Sequence, residues 1–155
     1  MHANADRPGV LVLPPLLYFG ALLLGTALEL LRPWDLAVPT LARWFAGVVG
    51  LAALAFGAQA RTAFAQAGTN VNPMQPATAL VADGPFRFTR NPMYVGMTVF
   101  YLAIAIATRV AWFLVLLVPV LALMHWGVVL REERYLRGKF GAPYDEYRRR
   151  VRRYV

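Results

Sequence analysis

The sequence predicts an all-α, polytopic membrane protein with four transmembrane helices and amphipathic helices at its C-terminal end. Hydrophobic residues make up 59% of the 155 residues and charged residues only 15%, whereas soluble domains average about 45–50% and about 25%. The apolar residues are collected into four runs that approach or reach the length of a bilayer-spanning helix, at about 1.5 Å per residue. The Lys and Arg residues lie mostly between or after these runs, and far more of them fall on one predicted side of the membrane than on the other.

Length and composition also exclude several classes of protein. A chain of 155 residues suits a single domain, which we expect to cover residues 1–155. Cysteine is absent and there are only two histidines, His2 and His125, so disulfides, thiolate sites and a histidine-based metal centre are not expected. The formal net charge is +8, and beside so much apolar sequence it favours membrane lipids over nucleic acid as the partner.

The first two predicted spans cover residues 10–31 and 41–60. The first run is about 22 residues long and suits a span better than the apolar region of a signal peptide, at about 7–15 residues. Its Pro14 and Pro15 fall where a helix begins, and proline is best tolerated there. In the second run small residues recur near four-residue spacing, which lets helices pack closely in lipid: Ala46, Gly50, Ala53 and Gly57.

A long polar loop, residues 68–91, follows the second span. We expect that helix to continue past the bilayer to Ala67, where Gly68 ends it in a left-handed cap. A connection of this length is usually functional or disordered. The apolar stretch 78–81 argues against disorder, so the sequence predicts an ordered loop folded over the membrane face.

The third and fourth spans, residues 92–107 and 110–130, form a predicted helical hairpin. Asn91 and Pro92 suit the N-cap and first position of the third helix. Thr108-Arg109 leaves room only for a tight turn, so the fourth span returns antiparallel, and Pro119 is expected to kink it.

The C-terminal helices are predicted over residues 131–154. The fourth helix continues into water from Glu132 to Phe140, Gly141 ends it, and residues 143–154 start a basic amphipathic helix. The tail arginines are expected to hold that helix to anionic lipid, at about 1 kcal/mol each near the surface: Arg148, Arg149, Arg150, Arg152 and Arg153.

Charge asymmetry predicts the orientation. Four spans put both termini and the 68–91 loop on one side, and 13 of the 16 Lys and Arg residues fall there. The positive-inside rule assigns this side to the cytoplasm. We therefore expect a multi-pass protein of a bacterial or archaeal cytoplasmic membrane, with both termini cytoplasmic.

Two polar clusters meet at this cytoplasmic face: the Gly84–Gly96 junction and Arg131–Arg134. Asn91 starts one arm of the hairpin and Glu132 ends the other, so a carboxylate lies beside a helix N-terminus, where a small polar molecule can bind. On α-helical spacing His125, Val128 and Glu132 share one face. His125 is then either a hydrogen-bonded packing residue or a group that handles protons.

Several motifs in this region resemble those of one enzyme family. Residues 90–96, Arg-Asn-Pro-Met-Tyr-Val-Gly, resemble the Arg-His-Pro-x-Tyr-x-Gly motif of isoprenylcysteine carboxyl methyltransferases and the related phospholipid methyltransferases. Residues 67–72 are similar to the family's Ala-Gly-Ser-Asn-Phe-Asn loop, and Leu80-Val81 before Gly84 is similar to its Leu-Val-x-x-Gly approach. Residues 132–151 resemble its C-terminal pattern. The resemblance covers about half of the chain.

The resemblance implies a membrane methyltransferase that binds S-adenosylmethionine at the cytoplasmic face and a lipophilic or membrane-embedded acceptor from the lipid. It places cofactor contacts at Gln75, Thr78, Ala79, Leu80, Val81, Phe86, Asn91, Pro92, Met93, Tyr94 and Glu132. It places substrate contacts at Asn70 and Asn72. Methyl transfer is an in-line displacement, for which alignment and exclusion of water matter more than a covalent nucleophile.

Two positions depart from the family pattern. Asn91 stands where the motif has histidine; it can donate and accept a hydrogen bond but cannot change charge near neutral pH. Val128 stands where the prenylcysteine enzymes place a substrate-binding arginine. His125 or Arg131 would have to replace that arginine, which makes them the catalytic candidates, or the acceptor lacks a carboxylate. Carboxylate, amine and thiol acceptors therefore remain open, as does the oligomeric state.

Two other interpretations remain. A membrane reductase of the sterol-reductase type has a similar C-terminal sequence but uses a nicotinamide dinucleotide, and such enzymes have longer chains with more spans. A non-enzymatic membrane scaffold would explain the basic tail but would not need an ordered polar loop.

Overall fold

The computed structural model describes residues 6–154, and within them the chain is all-α, as predicted. The predicted domain limits at residues 1 and 155, and His2, lie outside this part. The helices are α1 Pro14–Leu31, α2 Thr40–Gln66, α3 Pro92–Thr108, α4 Ala111–Ala122, α5 Leu130–Phe140 and α6 Ala142–Arg150. A 3₁₀ turn, Gly84–Arg87, lies in the long loop, and a π-helical segment, Leu123–Val129, joins α4 to α5.

Within residues 6–154, three helices are long and apolar enough to cross a membrane: Pro14–Leu31, Thr40–Gln66 and the continuous helix Ala111–Phe140. The shorter apolar helix Pro92–Thr108 coincides with the third predicted span. Large apolar side chains such as Leu31, Leu41 and Trp44 are more than 70% exposed. Lipid covers such side chains in a membrane protein, so their exposure agrees with the predicted class.

Single residues set several helix ends as the sequence predicts. Proline occupies the first turn of α1 and of α3. Gly68 after α2 and Gly141 after α5 have φ values of +65° and +58°, the left-handed region that glycine adopts without strain. The hairpin turn after α3 uses Arg109 at φ +68°.

Helices α2 and α3 approach each other through the predicted stripe of small residues. A Cβ added to Gly96 would lie 2.8 Å from the Ala53 carbonyl oxygen, and one added to Gly50 would lie 2.9 Å from the Ala103 Cβ. Only glycine fits at these two crossings. The close contact fixes the N-terminal end of α3 beside the C-terminal half of α2, where the polar loop begins.

The fourth span differs from its predicted form. Pro119, where a kink was expected, lies inside α4, and a π-helical segment that was not predicted begins four residues later at Leu123. A π turn is wider than an α turn, and it frees carbonyl groups from the regular helical pattern. The Gly127 carbonyl accepts a hydrogen bond from the Leu11 N–H at 3.0 Å, so the chain before α1 is fastened to this segment.

The C-terminal helix is shorter than predicted, because α6 ends at Arg150 and the chain then becomes extended. The backbone of this tail returns to the start of α3: the Arg90 N–H donates to the Arg152 carbonyl at 2.9 Å, and the Thr89 hydroxyl donates to the Arg153 carbonyl at 3.0 Å. These bonds hold the extended tail against the start of α3.

Candidate functional site

A cleft opens where the 68–91 loop, the start of α3 and helices α5 and α6 meet. Its empty space, including the open mouth, is about 840 Å³. Apolar and aromatic side chains dominate its lining, and the charged residues that line it in the described part of the chain are Arg90, Glu132 and Glu133.

The loop that forms one wall of the cleft is ordered by its own hydrogen bonds. The buried Thr69 hydroxyl accepts from the Thr78 N–H at 3.0 Å, and the Thr78 hydroxyl donates to the Gly68 carbonyl at 2.8 Å. The Asn70 side chain donates to the Pro76 carbonyl at 2.8 Å. These bonds close the loop on itself, so the predicted order of the loop is confirmed.

Aromatic rings form the floor of the cleft. Phe86 is 4% exposed and stacks on Phe64 with ring centroids 4.8 Å apart and planes 9° apart. The Tyr147 hydroxyl donates to the Phe86 carbonyl at 2.8 Å. One face of Phe86 is therefore covered by Phe64, and its backbone is fixed by α6.

Glu132 is the carboxylate that remains available in the cleft. It accepts a hydrogen bond from the Tyr94 hydroxyl at 2.6 Å and forms no ion pair with any residue between 6 and 154. The Tyr94 bond orients the carboxylate but does not neutralise it. The arrangement favours a cationic or hydroxyl-bearing ligand beside Glu132.

The neighbouring Glu133 is fully occupied. It is 8% exposed and accepts from Arg153 Nε at 2.9 Å and Arg153 Nη2 at 2.8 Å. Arg90 Nη2 lies 3.2 Å from its Oε1. Burial, together with the Glu133 carboxylate, raises the pKa of the nearby Tyr144 hydroxyl to about 12, so Tyr144 stays neutral in this wall.

Arg153 therefore has a different role from the one predicted. The sequence suggested a contact with anionic lipid, but its guanidinium forms a two-pronged ion pair with Glu133. Such paired hydrogen bonds are among the strongest that arginine makes. This pair and the tail backbone bonds close the cleft beside the start of α3.

Asn91 lies at the N-cap position of α3, as predicted, but its side chain does not cap the helix. Its Nδ2 donates instead to the Arg153 carbonyl at 2.9 Å. At the position where the family motif has histidine, this chain therefore uses a neutral amide to hold its C-terminal tail.

The two catalytic candidates do not line the cleft. His125 Nδ1 forms a 2.8 Å hydrogen bond with the Tyr154 hydroxyl, and Arg131 Nη1 donates to the Gly9 carbonyl at 2.9 Å. The expected common face of His125 and Glu132 assumed α-helical spacing. The π-helical segment between them changes their relative rotation, so the two side chains have separate partners.

The N-terminal segment packs against one side of the site. Pro8 lines the cleft, and Asp6 accepts from Lys139 at 2.6 Å and from the Tyr135 hydroxyl at 2.8 Å. The hydrogen bond from Lys139 lowers the pKa of Asp6, so its carboxylate stays charged. Tyr135 also accepts from the Ala77 N–H at 3.1 Å, and so links the loop to the chain before α1.

Most of the residues singled out by sequence meet in this one cleft. Those that line it are Asn70, Asn72, Gln75, Ala79, Leu80, Val81, Phe86, Asn91, Pro92, Met93, Tyr94 and Glu132. Thr78 does not line it, because its side chain is bonded within the loop. The roles assigned to these residues remain predictions.

Sequence reasoning missed several lining residues, among them Pro8, Phe64, Thr69, Arg90, Glu133, Tyr135, Tyr144 and Tyr147. Arg90 and Glu133 belong to the quoted motifs, so the motif itself was an available signal for them. Pro8 had no such signal, because it lies about 60 residues from the rest of the site in sequence.

Comparison with known proteins gives one family. The sequence profile of the phospholipid methyltransferase family matches residues 41–143, which include α2, the long loop, α3 and α5. No curated protein and no solved structure matches the chain. The matched region contains nearly all of the cleft, apart from Pro8 and the α6 tyrosines.

Proposed function

Because the chain belongs to the phospholipid methyltransferase family, we propose that it transfers a methyl group from S-adenosylmethionine to a lipid or other lipophilic acceptor at the cytoplasmic face of a membrane. The observation that carries the proposal is the cleft within the matched region, where Glu132 is a carboxylate without an ion-pair partner among the described residues. The family match also favours this activity over the reductase and scaffold alternatives.

The residues of the cleft suit S-adenosylmethionine in charge and in polarity. With all three ionised, the charged lining residues sum to −1, and the cofactor, with a sulfonium, an ammonium and a carboxylate, carries +1. Glu132 would hold the ammonium or the ribose hydroxyls. Apolar and aromatic side chains, including Phe86 and Leu80, would enclose the adenine.

When bound, S-adenosylmethionine would donate its methyl group to a nucleophilic oxygen, nitrogen or sulfur atom of the acceptor and remain as S-adenosylhomocysteine. The protein's contribution to such a reaction is alignment and exclusion of water. Tyr94 holds the Glu132 carboxylate in place, and the bonds of Tyr135 to Asp6 and Ala77 keep the N-terminal segment and the loop together over the cleft. No side chain has to form a covalent intermediate.

The acceptor would reach the cleft from the bilayer, because the surrounding helices expose apolar side chains. Trp126 on the π-helical segment is 65% exposed and Phe88 before α3 is 75% exposed. The absence of a basic side chain at Val128, which is fully buried, favours an acceptor without a carboxylate at that point. Amine and thiol acceptors therefore fit better than a prenylcysteine carboxylate.

The proposal is tested by methyl transfer. The detergent-purified protein, returned to vesicles of a total lipid extract, is incubated with S-adenosylmethionine labelled in its methyl group. We expect label to enter the organic phase, and mass spectrometry of that phase identifies the acceptor. The Glu132→Gln variant is the control. If the label stays in the aqueous phase with lipid extracts from several sources, this result contradicts a lipophilic acceptor.

A further inference from the structure

Arg90 is a positively charged residue of the cleft, and some of its guanidinium N–H donors have no partner among the described residues. Its side chain is 9% exposed, and it lines the cleft directly before the start of α3. Nη2 faces Glu133 Oε1 at 3.2 Å. Nε and Nη1 are buried and have no hydrogen-bond partner in the described part of the chain. The three N–H donors on these two atoms therefore lack a partner at hydrogen-bonding distance among the described residues, and the Tyr144 hydroxyl, which lies near the guanidinium, interacts with it only weakly.

Buried donors of a charged group are costly to leave unpaired, so native proteins nearly always satisfy them. Glu133 does not accept from Nε or Nη1, because both of its oxygens already accept from Arg153 and its Oε1 also faces Arg90 Nη2. Glu132 is bonded to Tyr94. An oxyanion of a ligand is the partner that suits the remaining donors best, because guanidinium groups bind oxyanions most strongly.

The two available charges of the cleft have opposite signs. Glu132 is a carboxylate without a cation, and Arg90 is a guanidinium with free donors. An amino acid carries the complementary pair, an ammonium and a carboxylate on one carbon atom. This pairing matches the amino-acid end of S-adenosylmethionine better than the acceptor.

We propose that Arg90 binds the carboxylate of the amino-acid end of the methyl donor and so selects for that group. The inference rests on the proposed function. A lipid phosphate is the other oxyanion that a membrane enzyme meets. The surroundings of Arg90 favour the donor, because its side chain is 9% exposed and lies near the buried Tyr144 of α6.

The test compares two ligands that differ by one group. S-adenosylhomocysteine and its decarboxylated analogue, S-adenosyl-3-thiopropylamine, are titrated calorimetrically into the detergent-purified protein. We expect the analogue to bind about 10- to 100-fold more weakly to the unaltered protein, as the loss of a charge-assisted hydrogen bond predicts. In Arg90→Gln the two ligands should bind with nearly equal affinity.

Controls separate the role of Arg90 in binding from its contact with Glu133. Arg87→Gln removes an exposed arginine three residues away and should keep the full preference for the carboxylate. Arg90→Lys keeps the positive charge and should retain part of the preference for the carboxylate. The preference is a ratio of two affinities on one protein, so a general loss of folded protein does not change it.

The possible results of the titrations separate the role of Arg90 from the proposed function. Equal affinity of the unaltered protein for the two ligands, or an undiminished preference in Arg90→Gln, overturns the inference and leaves the proposed function standing. Binding of neither ligand contradicts the proposed function itself. A third titration uses glycerol 3-phosphate; Arg90-dependent binding of this phosphate, without a preference for the carboxylate, would assign Arg90 to the lipid and overturn the inference.

Discussion

Replacing Glu132 by glutamine is expected to weaken S-adenosylhomocysteine binding by at least about 30-fold, since removing one partner of a buried charge pair costs about 2–5 kcal/mol. The substitution keeps an oxygen that can accept the 2.6 Å hydrogen bond from Tyr94, so the wall of the cleft stays intact. Thermal stability should therefore be nearly unchanged. Calorimetry gives the affinity, and a melting curve in the same detergent gives the stability.

The matched control for Glu132 is Glu146→Gln, which removes a carboxylate outside the cleft whose side chain is 60% exposed. This variant should bind S-adenosylhomocysteine as the unaltered protein does. Glu132→Ala should also lose binding, with a small loss of stability because Tyr94 then lacks its acceptor. An undiminished affinity in either Glu132 variant would remove Glu132 from the site.

Replacing the adjacent Glu133 by glutamine is expected to have the opposite consequence: a large loss of stability. Glu133 forms ion pairs with Arg90 and Arg153, and its own side chain is 10% exposed. Breaking a buried ion pair by removing one partner costs about 3–5 kcal/mol. The Arg153 side chain is 31% exposed, and water screens part of its charge, so we expect the lower end of that range, about 3 kcal/mol.

Unfolding of the detergent-purified variants by heat or denaturant measures this loss. Glu146→Gln is again the control, because its ion pair with Arg150 is exposed on both sides and such pairs contribute about 1 kcal/mol or less. If Glu133→Gln were no less stable than Glu146→Gln, the Arg90–Glu133–Arg153 cluster would not hold the C-terminal tail to the site.

These two neighbouring glutamates illustrate what sequence reasoning could and could not predict. Both belong to one charged cluster, and both were expected near the start of α3. Which of them is neutralised depends on Arg153, 20 residues away, and on the extended tail after Arg150. No local pattern marks that tail, because residues 143–154 also have the composition of a basic amphipathic helix.

The fold was predictable where one residue type determines a local conformation. Proline at the start of α1 and α3, and glycine at positions 68 and 141, set helix ends that the structure confirms. The π-helical segment was not predictable in this way. Its sequence, Leu123–Val129, is a plain apolar run, and the bond from Leu11 to the Gly127 carbonyl joins residues that are far apart in the chain.

Asn91 shows the same limit at the site itself. The sequence predicted that Asn91 precedes the first turn of α3, and the structure confirms this. Asn91 also lines the cleft. Its hydrogen bond to the Arg153 carbonyl spans 62 residues of sequence. The sequence motif therefore gives no sign of the contact that Asn91 makes in the folded chain.

The most direct measurement of the central claim is calorimetric titration of the unaltered, detergent-purified protein with S-adenosylhomocysteine and, separately, with NADPH. The cleft described here predicts saturable binding of one S-adenosylhomocysteine per chain and no binding of NADPH. Binding of NADPH without binding of S-adenosylhomocysteine would contradict the proposed methyltransferase activity and would favour the reductase alternative.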